Sequence, residues 1–289
     1  MTNKLILGTV QFGLDYGINN NSGKLKKNEV LELLKISYNH GIRTLDTAEL
    51  YGDAHEIIGD FHKKNKNSKF NIITKFPHDI KYKSIINKVL EYLDLLVIKT
   101  LDVLMFHSYD SFKSNYKALH LLKELKSNGS INHIGVSVYT NDQLKSLLNE
   151  DLITVVQLPF NMLDNFNVRG DLIDKLKRKG KIIHTRSAFL QGLFFKNPSD
   201  KNPIVKNLKS ELEILNQIAN KSNCSMEELA LSYCLYQKNI NNIIIGVDSI
   251  NQLNANIRAA SYNILEDDIK VINNIKIKDL DLLNPSLWE

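Results

Sequence analysis

The chain has 289 residues, of which 43% are hydrophobic, 24% charged and 8% aromatic. That balance excludes disordered and fibrous classes and supplies a sizeable core. Its 37 basic and 32 acidic residues leave a formal charge of +5, carried in short runs such as KLKK and KLKRKGK on helical patterns, where lysines keep a helix face soluble rather than bind nucleic acid.

In chain order, short apolar runs alternate with longer amphipathic stretches. The first strand is expected at LILGT (5–9), followed by the helical pattern KNEVLELLKISYNHG and a second strand at RTLDT (43–47). FNIITK (70–75), the helix SIINKVLEYLDLLVI, DVLMF (102–106) and the helix YKALHLLKELKSNG come next. HIGVS (133–137), TVVQL (154–158), the helix DLIDKLKRKG and KIIHT (181–185) follow, and NIIIG (242–246) is the eighth strand. Gly41, Gly129 and Gly180 each close a helical pattern just before a strand, as C-terminal stops do. Eight strand-helix units without a low-complexity linker predict an α/β fold, a (β/α)8 TIM barrel in a single domain over 1–289, rather than two Rossmann-like halves.

The longest departures from strict alternation follow the seventh strand: the segment RSAFLQGLFFKNPSDKNP (186–203) reads as a loop, and 225–237 as an additional helix. Extra material on strand-to-helix connections lies at the carboxyl rim, where barrels bind ligands. Cys224 and Cys234 fall near this helix at no disulfide or metal spacing and read as buried thiols. His78, His120 and His184 likewise show no metal-ligand spacing and read as surface or core histidines, with no metal expected. Trp288 is expected to pack against an outer helix rather than line a pocket. No window approaches 18 consecutive apolar residues, and the opening MTNKLILGTVQFG has too short an apolar run for a signal peptide, so a cytoplasmic protein without a membrane partner is expected.

Four polar residues sit at or just past the ends of these strands: Asp46 and Tyr51 in GIRTLDTAELYG, Lys75 in NIITKF and His107 in LDVLMFHSYD. Singly, each has a structural explanation, as a cap, a rim aromatic, a solvated strand end or a core histidine. On successive strands of a parallel barrel, however, all four come to one rim. With the phrase Asp46-Thr47-Ala48 followed by Tyr51-Gly52, the set resembles the aldo-keto reductase family. The resemblance implies an NAD(P)H-dependent oxidoreductase that reduces an aldehyde, ketone or keto-sugar, or runs the reverse oxidation. Tyr51 would then protonate the carbonyl oxygen, Lys75 would make that phenol more acidic, Asp46 would hold the ammonium, and His107 would polarise the carbonyl. An alternative within the same resemblance is a cofactor-binding regulatory subunit of the potassium-channel beta type, with little turnover.

The resemblance extends to the cofactor. Gly8 and Thr9 in LGTVQFG fall where the family lets the nicotinamide approach closely. Ser137 in IGVSVYT, with Gln157 and Asn161 in VVQLPFN, falls where it holds the carboxamide, although Ser137 could cap a helix starting near Tyr139 and Asn161 could close a turn. After the eighth strand, IIIGVDSINQLNANIRAA resembles the clamp for the adenine-ribose end, with Gly246, Ser249 at a helix start and Asn256 on the adenine. Asp248 and Gln252 stand where many members carry the Lys and Arg that grip a 2'-phosphate. NADP(H) is the family default, and these two residues bring NAD(H) into contention. Arg186 in HTRSAFLQG replaces the family's stacking tyrosine, and its guanidinium could stack or bind an acidic group on substrate or cofactor. Arg186 and the polar HSYD segment point toward a hydrophilic small-molecule carbonyl such as a sugar derivative. Oligomeric state is not legible.

Overall fold

The computed structural model describes residues 2–18, 20 and 23–288. Eight strands, β1 (Leu5–Gly8), β2 (Thr44–Asp46), β3 (Asn71–Phe76), β4 (Leu101–Phe106), β5 (Ile131–Ser137), β6 (Val155–Pro159), β7 (Ile182–Arg186) and β8 (Asn242–Ile245), close into one barrel in sequence order. Every neighbouring pair is parallel, including the β1–β8 junction, where Leu5 lies opposite Ile243 and Leu7 opposite Ile245. All eight expected strands are present, with ends shifted by one or two residues.

Side chains alternate across each strand, and that alternation builds both the core and the site. Leu45, Ile72, Leu104, Val136 and Ile183 point outward into the large layer shared with the helices. Ile6, Ile73, Val103, Met105, Val155 and Ile244 point inward and form a separate buried cluster that fills the barrel. Gly135 leaves the room that Met105 occupies: an added Cβ would lie 3.0 Å from its Cγ. The barrel is therefore plugged, and any cavity must lie above the plug.

The helices follow their patterns. Lys27–Asn39, Ile85–Leu96 and Leu119–Ser127 lie where periodicity put them, and Phe166–Arg178 begins earlier than expected because Asn165 caps it, accepting from Asn167 N. Gly41, Gly129 and Gly180 have φ between 75° and 89°, the left-handed conformation that ends a helix. After β7 the expected loop holds a 3-10 turn at Leu190–Phe195 and a short helix at Pro203–Asn207. The helices Lys209–Lys221 and Met226–Tyr236 then lead to β8. Cys234 is buried on the last of these, whereas Cys224 precedes it and is half-buried, so only one of the two expected buried thiols is fully so. Trp288 packs on the outer core, its indole N–H donating to Leu282 O at 3.1 Å. Among the described residues no helix is long and apolar enough to cross a membrane.

Candidate active site

Above the plug, at the carboxyl ends of the strands, lies a cavity of about 850 Å³, within the range of small-molecule and cofactor sites. Its floor follows from strand periodicity. Gly8, Lys75, His107, Gln157 and Gly246 each stand two residues beyond an inward apolar residue of the same strand run: Ile6, Ile73, Met105, Val155 and Ile244. Asp46, Ser137 and Arg186 fill the remaining strand ends, and Tyr51 comes from the loop after β2.

Asp46 and Lys75 form a buried ion pair, with Nζ 2.6 Å from Oδ2 and the Lys75 side chain only 1% exposed. Lys75 also donates to Thr47 O at 3.1 Å. The second Asp46 oxygen accepts from Gln157 Nε2 at 2.9 Å, across the barrel. Burial pulls the Lys75 ammonium down from its ordinary pKa and Asp46 pulls it back up. Gln157 therefore turns its amide N–H toward Asp46 and leaves its carbonyl oxygen for a ligand. Thr9 donates its hydroxyl to Asp46 O at 3.1 Å and is fully buried, so it ties β1 to β2 beneath the cavity.

Tyr51 lies beside this pair, its ring centroid 5.5 Å from Lys75 Nζ and 5.8 Å from the His107 ring. The expected acidification of the phenol by Lys75 is not what the surroundings produce. Burial pushes the Tyr51 hydroxyl up, Asp46 adds to the rise, and the cation that opposes them is Arg186. Lys75 is held by Asp46 at 2.6 Å and its own pKa is pulled down by burial, whereas Arg186 makes no ion pair among the described residues. Tyr51 thus keeps its proton. Burial, with Lys75 second, pushes His107 down to about 3, so the ring is neutral. Its Nδ1 is buried without a partner, and the ring lines the cavity.

The backbone that carries Tyr51 is fixed by a glycine contact. Gly13 packs so closely that an added Cβ would sit 1.8 Å from Tyr51 O, and Gly52, at φ 55°, lies against Gly13 O. Gly13→Ala is expected to push the Tyr51 segment aside and lower turnover by about 100-fold, the scale of an ångström misplacement. Steady-state kinetics alongside circular dichroism checks this: an unaltered rate in a folded variant contradicts it.

The rest of the cavity wall divides in two. Near the tetrad stand Tyr16, His78, Ser108, Tyr139 and Arg186; toward the β8 end stand Gln11, Glu227, Gly246, Asp248, Gln252 and Asn256. Of the expected site residues, Gly8, Thr9, Asp46, Tyr51, Lys75, His107, Ser137, Gln157, Arg186, Gly246, Asp248, Gln252 and Asn256 all line it. Ser249 does not: its hydroxyl accepts from Gln252 N at 3.2 Å and caps the helix Ile250–Ala259. Asn161 is also absent from the wall. Its Oδ1 accepts from Leu163 N and Asp164 N, so it closes a turn. Ser137 caps nothing, because the next helix, Asn141–Ser146, is capped by Thr140.

His78 and His184 are a surface and a core histidine as expected, in specific places. His78 joins the wall, stacked on His107 with centroids 4.8 Å apart, and its Nδ1 lies 3.3 Å from Ser108 Oγ. His184 occupies the barrel interior below Arg186, where burial holds its pKa down to about 4. His120 is exposed and bonded to Tyr82, as a surface histidine. Tyr16, Tyr139 and His78 escaped the sequence reading because they lie on loops, where no periodicity marks an inward face.

The wall suits a dinucleotide. Gly246 leaves space that a Cβ would take, 3.0 Å from Gln11 Nε2, and Gln11 Oε1 is a buried acceptor without a protein partner. The N-terminus of the helix Ile250–Ala259, capped by Ser249 and with Gln252 on the wall, lies at the same end.

Comparison with known proteins decides the family: the profile described as the Aldo/keto reductase family matches residues 4–277. The chain belongs to the aldo/keto reductase family. It is accordingly an NAD(P)H-dependent oxidoreductase acting on carbonyl groups of small molecules. Its aldo/keto reductase relatives include an NADH-specific methylglyoxal reductase of Escherichia coli (strain K12), 22% identical over 86% of this chain and 87% of its own. An oxidoreductase of Bacillus subtilis (strain 168) is 24% identical over 88% of this chain and 90% of its own. Among solved structures, an aldo-keto reductase from Bacillus halodurans shares the barrel at a TM-score of 0.78 and 19% identity, covering 96% of this chain and 93% of its own. A glycerol dehydrogenase from Gluconobacter oxydans does so at 0.75 and 18%, covering 94% and 90%.

Proposed function

We propose that this reductase interconverts a hydrophilic carbonyl compound and its alcohol, with Tyr51 as the proton donor. A bound nicotinamide would supply the hydride to the carbonyl carbon. Tyr51 would protonate the oxygen as charge develops there, and the neutral His107 would donate a hydrogen bond to the same oxygen and orient it. Lys75, held by Asp46, would stabilise the phenolate left behind. The observation that carries this reading is the Asp46–Lys75 pair set beneath the Tyr51 and His107 rings on the floor of one cavity. Oxidation of NADH or NADPH, followed by loss of its near-ultraviolet absorbance on adding a panel of aldehydes and ketones, tests it. A cofactor that binds but is oxidised by no member of the panel would instead favour a regulatory subunit.

In this reading Gly8, Ser137 and Gln157 surround the nicotinamide end, and Gly246, Asp248, Gln252 and Asn256 the ribose and adenine. Thr9 supports the floor from beneath, and the helix starting after Ser249 faces a phosphate. Asp248 lines the cavity and is braced by Gln252, whose Oε1 accepts from Asp248 N at 2.8 Å and whose Nε2 donates to Asp248 Oδ2 at 3.3 Å. A carboxylate there accepts from a free 2'-hydroxyl and repels a 2'-phosphate. NADH is therefore expected to bind at least as tightly as NADPH, with Asp248→Lys shifting the ratio toward NADPH by about tenfold. Fluorescence titration reads both constants, and a strong NADPH preference in the native protein contradicts the assignment. The chain would act as a single barrel domain in the cytoplasm, and a sugar derivative fits the polar wall.

A further inference from the structure

We propose that the carbonyl compound this site turns over carries an anionic group, a carboxylate or a phosphate, and that Arg186 binds it. The inference rests on the reductase reading above and narrows its substrate class.

Two cations stand near Tyr51, and only one is compensated. Lys75 has Asp46 at 2.6 Å. Arg186 makes no ion pair among the described residues; its guanidinium carbon lies 4.0 Å above the Tyr139 ring, and one nitrogen donates to Val138 O at 3.3 Å. A guanidinium carries five N–H donors in a planar fork. Most of them therefore have no protein acceptor, and they line the cavity within reach of the groups that would do the chemistry. The Arg186 charge is felt at Tyr51, Lys75 and His107 alike.

The guanidinium is also held in place. Tyr139 is its platform, and Tyr139 O accepts from Arg169 at 2.8 Å, while Arg169 is locked by a buried pair with Asp164 at 2.6 Å. A stacked, oriented guanidinium loses little freedom on binding an anion. The cavity is polarised as well. Its uncompensated carboxylates, Asp248 and Glu227, lie at the β8 end, where the helix Met226–Tyr236 packs on Ile250–Ala259. Around Arg186 the wall offers Tyr16, Tyr51, Tyr139, His78 and His107, and no carboxylate other than the one paired with Lys75. Asp164 feels the Arg186 charge from behind but is paired with Arg169, so a neutral substrate would leave the guanidinium without an ion-pair partner and an oxyanion would supply one bidentately.

The test uses matched pairs of aldehydes: 4-oxobutanoate against butanal, and glyceraldehyde 3-phosphate against glyceraldehyde. In the native enzyme kcat/KM is expected to favour the charged member of at least one pair by about tenfold to a hundredfold, and the preference is expected to shrink with added salt. Which pair shows it distinguishes a carboxylate from a phosphate. Arg186→Gln should bring that ratio close to one, and Arg186→Lys should retain part of it. The ratio is taken within each enzyme, so changes in folded fraction or dinucleotide affinity cancel. A ratio near one in the native enzyme, or one unaltered in Arg186→Gln, overturns the proposal. So does a variant that binds NADH and NADPH more weakly at an unaltered ratio, since Arg186 would then serve the cofactor phosphates. Turnover of the neutral aldehydes without preference sinks this inference alone; no turnover of any member sinks the reductase reading with it.

Discussion

Tyr51→Phe is expected to lower kcat for carbonyl reduction by about 10²–10⁴-fold, the range for removing a positioned proton donor, while dinucleotide binding persists. The ring keeps its packing between Lys75 and His107, so the change removes the hydroxyl and little else. A companion expectation concerns pH. Burial keeps the Tyr51 hydroxyl protonated and pushes His107 down to about 3, so neither group titrates between about pH 6 and 9. Reduction should therefore run at a flat kcat/KM across that window. The sign is informative: were the Tyr51 pKa lowered into the window, the rate would fall as pH rose, because the acid would lose its proton. Alcohol oxidation needs Tyr51 as the phenolate, which takes up the alcohol's proton, and since the phenolate fraction grows with pH that direction should instead rise with pH. Full activity in the Phe variant would remove Tyr51 from the chemistry.

Lys75→Met should be damaging in two separable ways. The substitution leaves the Asp46 carboxylate buried with Gln157 Nε2 as its remaining side-chain partner, and breaking a buried pair from one side costs about 3–5 kcal/mol. Denaturant unfolding should show that loss, and turnover should fall as well, because the ammonium set beside the Tyr51 ring is gone. Adding Asp46→Asn removes the stranded charge. The double variant is expected to regain most of the stability and none of the activity, a non-additivity that neighbours in one network produce. If the double variant proved no more stable than Lys75→Met, the pair would not be the coupled unit its geometry implies. If it regained turnover, the ammonium would have no part in the reaction.

How much of this was legible beforehand follows from period. Asp46, Lys75, His107, Ser137, Gln157 and Arg186 stand at or next to the ends of apolar runs, and two-residue alternation carries each inward once the strands are parallel. The eight strands themselves were visible for the same reason, to within one or two residues at their ends. What lay beyond reach depends on residues distant in the chain. Gln157 meets Asp46 only when the barrel closes, and so its donor side turns away from the place a carboxamide would take. Gln191 bonds the Tyr16 hydroxyl at 2.8 Å across the cavity mouth, on a segment where Ser187, Leu190 and Gln191 all have positive φ. No propensity rule places three such residues together. The rise in the Tyr51 pKa was hidden too, because burial, its main cause, depends on how the loop after β2 packs once the barrel has closed.

The junction of β1 with β8 is unlike the other seven. Each of those is spanned by a helical crossover, whereas β1 and β8 are joined by hydrogen bonding and packing between the two ends of the sequence. The wall astride that seam comes half from each end: Gly8 and Gln11 from one, Gly246, Gln252 and Asn256 from the other. A long ligand lying there would act as a rivet, adding its own affinity to the force that keeps the cylinder shut. Opening of the emptied protein should then begin along this line, and the nucleotide would be as much a fastener as a reagent.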